Sequence, residues 1–232
     1  MKKTVLTLLF ISFIPLVIFS QNEKQNPYHL KIISTVANYR EECMKDKQNQ
    51  LVDLKKEIPS IQLDIRYATA NNFTHKQVYS TARAFLRQPA AMALVKVQQE
   101  LSTQGLGLKV FDAYRPYAAS ILFYDLIKDT LFVASPAKGS RHNRGCAVDV
   151  SLVDLKTGAE LEMPTPYDDF SKRAGAAYDN LPAATKENRL KLINVMKEQG
   201  FEVFSSEWWH FDFNGWQNYS LMDISFEELE QP

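Results

Sequence analysis

The chain has 232 residues, 27 Lys+Arg against 27 Asp+Glu, 45% hydrophobic and 23% charged. That is one ordinary globular domain, large enough to bury a core without disulfide or metal staples. Zero formal net charge offers no basic face for nucleic acid or an acidic membrane. Two cysteines exclude a disulfide framework, a four-cysteine zinc site and a cysteine-held iron–sulfur cluster.

Lys2 and Lys3 precede an uncharged, mostly apolar run from Thr4 to Phe19, and Ser20 supplies a small residue before a polar stretch. This is the layout of a secretory signal peptide over residues 1–20, cleaved between Ser20 and Gln21. The run is shorter than a bilayer span, which needs roughly 20 residues, and Pro15 interrupts it. The mature chain is therefore expected outside the cytoplasm, in a periplasm or beyond it, with no stable membrane insertion. Residues 21–50 are charge-rich, with a weak helical pattern around Ile32, Val36 and Tyr39, and are read as a loosely packed N-terminal extension to a domain over 51–232.

From Ile61 the pattern sharpens. Ile61, Leu63, Ile65 and Tyr67 alternate with Gln62, Asp64 and Arg66, the period of a half-buried strand. A helix is predicted over about Pro89–Gln104, with Pro89 in its first turn and Gly105 as its stop. A second strand carries Leu108, Val110 and Asp112 into Tyr114-Arg115-Pro116, and a helix follows over about Tyr117–Lys128. Cys146–Leu152 reads as a strand with Ala147, Asp149 and Ser151 on one face. A helix over about Lys186–Gln199 carries an apolar stripe of Leu190, Ile193 and Met196. Final strands are expected at Phe201–Phe204 and Trp208–Phe213. Segregated helices and short strands without βαβ repetition predict an α+β fold.

Four histidines are present. His142 lies just before the Cys146–Leu152 strand, Asp149 on its polar face, and His210 on a later strand; Gly145 lets the chain turn sharply between the first two. Two His and one carboxylate make a familiar catalytic zinc set with a position left for water. Glu207, three residues before His210, is near enough to reach such a water without being a ligand. An Asp in an otherwise apolar strand asks for a partner or a metal. The rival readings are a capping role for His142 and a rim salt bridge for Glu207. His29 and His75 sit in polar surroundings and are read as ordinary surface histidines.

These residues resemble a known family. Ser140-x-His142-x-x-Gly145-x-Ala147-x-Asp149, followed by Glu207-x-x-His210, is similar to the D-Ala-D-Ala metallopeptidases, whose fold hedgehog signalling domains share. Asp64–Thr74, Asp112-Ala113-Tyr114-Arg115-Pro116 and Met163–Asp168 narrow the resemblance to VanX-type dipeptidases. It covers about Val52 to Tyr219 and implies a small mixed or antiparallel sheet with helices around it and the metal site at the sheet. The resemblance assigns one zinc per chain to His142, Asp149 and His210, the general base to Glu207, and oxyanion stabilisation to Arg115. It assigns the positioning of a dipeptide's charged ends to Tyr67, Ser140 and Asp168. For Arg115 the rival is a structural salt bridge to Asp112; for the last three, core, turn and cap roles.

Two departures bear on the site. Cys146 stands where small or hydroxyl residues are usual, and is expected either to pack as a small side chain or to pair with Cys43. Pro164 stands where a flexible glycine is common and stiffens the wall that carries Asp168. The implied function is an exported zinc dipeptidase acting on D-alanyl-D-alanine, with a D,D-carboxypeptidase or a non-catalytic zinc-bearing module as alternatives. Export would separate the enzyme from the cytosolic dipeptide pool, and points to breakdown or recycling of D-amino-acid dipeptides.

Overall fold

The computed structural model describes residues 26–129 and 133–230, so the expected signal peptide lies outside the described residues. The elements are β1 (Ile32–Ile33), α1 (Val36–Lys45), β2 (Leu51–Asp53), α2 (Leu54–Glu57), β3 (Gln62–Leu63), β4 (Phe85–Arg87), α3 (Gln88–Thr103) and β5 (Leu106–Asp112). They continue as α4 (Tyr117–Ile127), β6 (Ala147–Asp154), α5 (Ala183–Glu198), β7 (Phe201–Val203), β8 (His210–Phe213), β9 (Leu221–Met222) and α6 (Phe226–Glu230).

A five-stranded sheet in the order β3-β5-β6-β8-β7 forms the centre, parallel only at β3–β5. Two-stranded pairs β2–β4 and β1–β9 flank it. The architecture is the α+β arrangement expected, with a small mixed sheet and helices around it. β6 is buried on both faces from Ala147 to Val153, so it reads as a continuous apolar run broken only by Asp149 and Ser151. α3 and α5 pack together on the sheet. α3 begins with Pro89 in its first turn and ends just before Gly105, as predicted. Its buried Gln98 stitches it to β5 by accepting a hydrogen bond from the Leu108 N–H at 2.9 Å.

Three expectations need correction. The Ile61–Tyr67 alternation holds as burial, with Ile61, Ile65 and Tyr67 inside, but the ladder covers only Gln62–Leu63. After Asp64 the chain winds into a 3-10 turn at Arg66–Ala68, which carries Tyr67 inward to meet Asp168. α5 starts three residues earlier than predicted, and its buried face runs through Thr185, Arg189, Leu192, Val195 and Met196, leaving Leu190 49% exposed. The last strand begins at His210, because Glu207–Trp209 form the turn that enters it. The N-terminal segment is pinned at several points: β1 pairs in parallel with β9, the Tyr39 hydroxyl accepts the Leu51 N–H at 2.7 Å, and the Asn49 carbonyl accepts from the Arg87 guanidinium. His29 and His75 are exposed, each at a positive-φ position. Cys43 and Cys146 are both free thiols, so the pairing alternative fails, and Cys146 is fully buried as a small side chain.

Candidate metal centre and its cavity

Strand register builds the centre. Across the sheet, Asp112 of β5 faces Asp149 of β6, which faces His210 of β8. A register shift between Val110 and Asp112 completes that row. His142 enters from the side, on a 3-10 turn (His142–Arg144) that Gly145 closes with φ +69° before β6 begins. A Cβ at Gly145 would come within 2.7 Å of Leu51 Cδ2, so both the backbone angle and the space favour glycine there.

Each imidazole is held by its far nitrogen. His142 Nδ1 donates to the Ala113 carbonyl at 2.7 Å, and His210 Nε2 donates to Asp212 Oδ1 at 2.9 Å. The remaining nitrogens therefore converge as acceptors: His142 Nε2 and His210 Nδ1 lie 3.1 Å apart, and Asp149 Oδ1 lies 3.4 Å and 3.1 Å from them. Zinc bonds of about 2.0–2.1 Å in a tetrahedron require ligand-to-ligand edges of about 3.3 Å. Asp149 Oδ1 is buried without a hydrogen-bond partner among the described residues, an expensive arrangement for a carboxylate unless a cation completes it. The three donors fit a metal ion. The other oxygen, Oδ2, accepts the Tyr167 hydroxyl at 2.9 Å.

The electrostatics point the same way. Burial alone would raise Asp149, but the facing His142 imidazole, and then His210, reverse this and favour its ionised form. Glu207 Oε2 stands 3.7 Å from His210 Nδ1, and burial pushes its carboxyl up to about 7, with His210 opposing. Asp168 is pushed well above the usual carboxylate range by burial and then by the charge of Asp149. Carboxyls thus outnumber cations around the three donors, which a bound dication would relieve.

The donors open onto a cavity of about 420 Å³, within the usual size for small-ligand sites. Tyr67, Arg115, Ser140, Asp168 and Glu207 all line it with the His142, Asp149, His210 cluster, so every predicted site residue is brought to one place. Arg115 is clamped through Nε and Nη2 to Asp112 Oδ2 at 2.9 and 2.7 Å, and the Tyr79 hydroxyl donates to the same carboxylate. Burial opposes the guanidinium's charge, but the Asp112 carboxylate outweighs it. Its salt bridge and its place at the cavity wall therefore coexist. Asp168, at φ +61°, accepts the Tyr67 hydroxyl at 2.9 Å. Ser140 Oγ accepts the Asn143 N–H at 3.2 Å while the Asn143 side chain accepts the Ser140 N–H, so Ser140 closes a turn and lines the cavity at once.

Sequence reasoning missed three supports. Tyr167 links Asp149 to Tyr67, its oxygen 3.3 Å from the Tyr67 hydroxyl. Tyr79 braces Asp112, and Asp212 braces His210. Asp212 carried a usable signal, standing two residues from His210 on the same strand face, and Tyr167 lies inside the Met163–Asp168 motif; Tyr79 carried none.

Residues 47–227 match the family described as D-ala-D-ala dipeptidase. The D-alanyl-D-alanine dipeptidase of Escherichia coli is 36% identical over 183 residues, spanning 79% of this chain and 94% of that protein. That of Enterococcus faecium is 32% identical over 174 residues, spanning 66% of this chain and 86% of that protein. A solved VanY D,D-pentapeptidase in complex with Zn(II) aligns at 16% identity and a TM-score of 0.34, covering 58% of this chain and 75% of that one. With most of its length matched and the motif residues gathered at one cavity, the chain belongs to the D-ala-D-ala dipeptidase family of peptidases.

Proposed function

We propose that this protein is an exported zinc dipeptidase that hydrolyses D-alanyl-D-alanine to two D-alanines. One observation carries the reading: three donors, His142 and Asp149 buried and His210 half-buried, stand at tetrahedral spacing with a carboxylate of raised pKa, Glu207, beside them. His142, Asp149 and His210 would hold the metal. A bound zinc supplies Lewis-acid chemistry, polarising the scissile carbonyl and acidifying a water.

The chain's own groups do the rest. Glu207 takes the proton of the attacking water and delivers it to the departing amine as the C–N bond breaks. A pKa near 7 suits a group that must both accept and release that proton. Arg115, held in place by Asp112, faces the negative charge that develops on the carbonyl oxygen. Asp168, steadied by Tyr67, takes the substrate ammonium, and the Ser140 hydroxyl donates to its carboxylate. Both ends of a free dipeptide thus find a partner of the right sign.

The Lys2–Ser20 pattern supports export, and an exported enzyme acts on dipeptides outside the cytoplasm in a recycling or degradative role. Metal analysis of the purified protein, with hydrolysis assays on free D-Ala-D-Ala and on a stem pentapeptide, tests the reading. One zinc per chain and cleavage of the dipeptide alone are expected. Cleavage of the pentapeptide instead would make the enzyme a carboxypeptidase, and zinc without hydrolysis a binding module. Retention of the protein in the cytoplasm with residues 1–20 still attached would overturn the export assignment, and a secreted form starting elsewhere than Gln21 would move only the cleavage point.

A further inference from the structure

The two imidazoles at the centre are anchored differently. His142 leans on a neutral backbone carbonyl, that of Ala113. His210 leans on a charged carboxylate, Asp212, from the same strand. The anchor itself is anchored. Asp212 Oδ2 lies 3.3 Å from Arg141 Nε, as an ion pair rather than an aligned hydrogen bond. The Arg141 guanidinium lies over the Trp216 ring at 4.7 Å and the Phe204 ring at 5.9 Å. Phe204 in turn packs 5.4 Å from the His210 ring.

We infer that Asp212 is the positioning residue for His210, and that Arg141, stacked on Trp216, sets the carboxylate that does it. A neutral imidazole can carry its proton on either nitrogen and can flip about its Cβ–Cγ bond. Only the Nε2–H form, in only one of its two ring orientations, turns Nδ1 toward Asp149 and His142. A carboxylate on Nε2 selects that form and raises the electron density on Nδ1. A side-chain anchor can also be misplaced, which a backbone carbonyl fixed by the fold cannot. Arg141 meets that need by holding the second oxygen, so that Oδ1 stays aimed at the ring. The ion pair is half-buried, its arginine side chain 35% and its aspartate side chain 13% exposed, and its effect is on orientation.

This inference rests on the reading that His142, Asp149 and His210 hold a metal, and its test requires no substrate. Zinc affinity is measured by chelator competition on the full-length protein and on Asp212→Ala, Asp212→Asn and Arg141→Ala, with the thermal unfolding of each metal-free form as a folding control. Asp212→Ala is expected to lose about 10–100-fold in affinity. Asp212→Asn, whose amide oxygen still accepts from Nε2–H, should recover part of that loss, and Arg141→Ala should lose a few-fold. A purely structural aspartate would lower unfolding temperature without this graded loss of affinity. The ¹⁵N signals of His210 in the zinc-loaded protein give a second readout: a protonated Nε2 and a metal-bound Nδ1 are expected. Should Asp212→Ala fail to fold, Asp212→Asn and these signals decide the matter. Asp212→Ala affinity within twofold of the parent, or a metal-bound Nε2, overturns the inference. If the parent binds no zinc, the metal reading falls with it. If the parent binds zinc with the graded losses yet leaves D-Ala-D-Ala intact, only the dipeptidase reading falls.

Discussion

Under the proposed function, holding a metal and using it fall to different residues. His142→Ala or His210→Ala removes one of three converging donors, and should abolish zinc retention and hydrolysis together, as read by metal analysis. Glu207 contributes no donor to that triad, so Glu207→Ala should keep near-parent zinc content and lose most of kcat. Loss of zinc in that variant would make Glu207 a ligand instead. Arg115→Ala should keep zinc and lose about 3–4 kcal/mol of barrier lowering, chiefly in kcat, because the oxyanion charge exists only in the transition state. Asp168→Ala should raise KM instead, since the ammonium it grips is present in substrate and transition state alike. Steady-state kinetics on the three variants distinguish these roles. Equal losses of kcat in Arg115→Ala and Asp168→Ala would contradict the assignment of Asp168 to the ammonium. Gly145→Ala acts earlier in the chain of causes. Its φ of +69° and the crowding by Leu51 should cost about 1–2 kcal/mol, measurable by urea unfolding, and displace the His142 turn.

At the scale of elements, helix phase decides what a leucine is worth. Leu192 lies on the buried face of α5 and is fully enclosed, whereas Leu190 is half exposed. Leu192→Ala should therefore cost about 2–5 kcal/mol in urea unfolding, and Leu190→Ala within about 0.5 kcal/mol. Similar losses from both would mean that the helix turns its other face inward. The predicted stripe chose Leu190 because it read only apolar residues. The buried face includes Arg189, whose stem packs inside while its guanidinium donates to the Tyr178 carbonyl. A long polar residue buried in this way hides a helix's true phase from a hydrophobicity pattern. The β5 and β6 strands and the α3 and α4 helices were legible because their apolar runs carry clear starts and stops, such as Pro89 and Gly105. Tyr67 illustrates the opposite limit: its burial was plain from alternation, but the turn that points it at Asp168 depends on contacts about 100 residues away. The motif residues were legible because each lies in a short local pattern. Tyr79 lies in no such pattern, and although Tyr167 stands inside the Met163–Asp168 motif, the support it gives Asp149 comes only from the partner that folding brings to it.

Across the whole molecule the centre ties the turn before β6 and β6 itself to β8, with His142 and His210 68 positions apart in the chain. A ligand that binds only the folded form stabilises it by mass action. Chelation should therefore lower the unfolding temperature, and the shift should grow with free zinc when the metal is returned. The metal-free form carries a further, pH-dependent cost at Glu207. Its folded pKa of about 7 stands above the unfolded value of 4.5, because burial disfavours the ionised carboxyl. The folded state then binds more protons than the unfolded state between those two values, so stability falls as pH rises through that window. Below about pH 4 the carboxyl is protonated in both states and the cost is absent. Well above pH 7 it is fully present, on the order of 3 kcal/mol. Glu207→Gln carries no such charge. Its metal-free form should match the parent at pH 4 and exceed it at pH 8, while being inactive at either. Denaturant unfolding at the two pH values measures the difference, and a variant no more stable than its parent at pH 8 would show that Glu207 ionises without strain. The expected outcome identifies a residue kept at the expense of stability, as a base in a desolvated site must be.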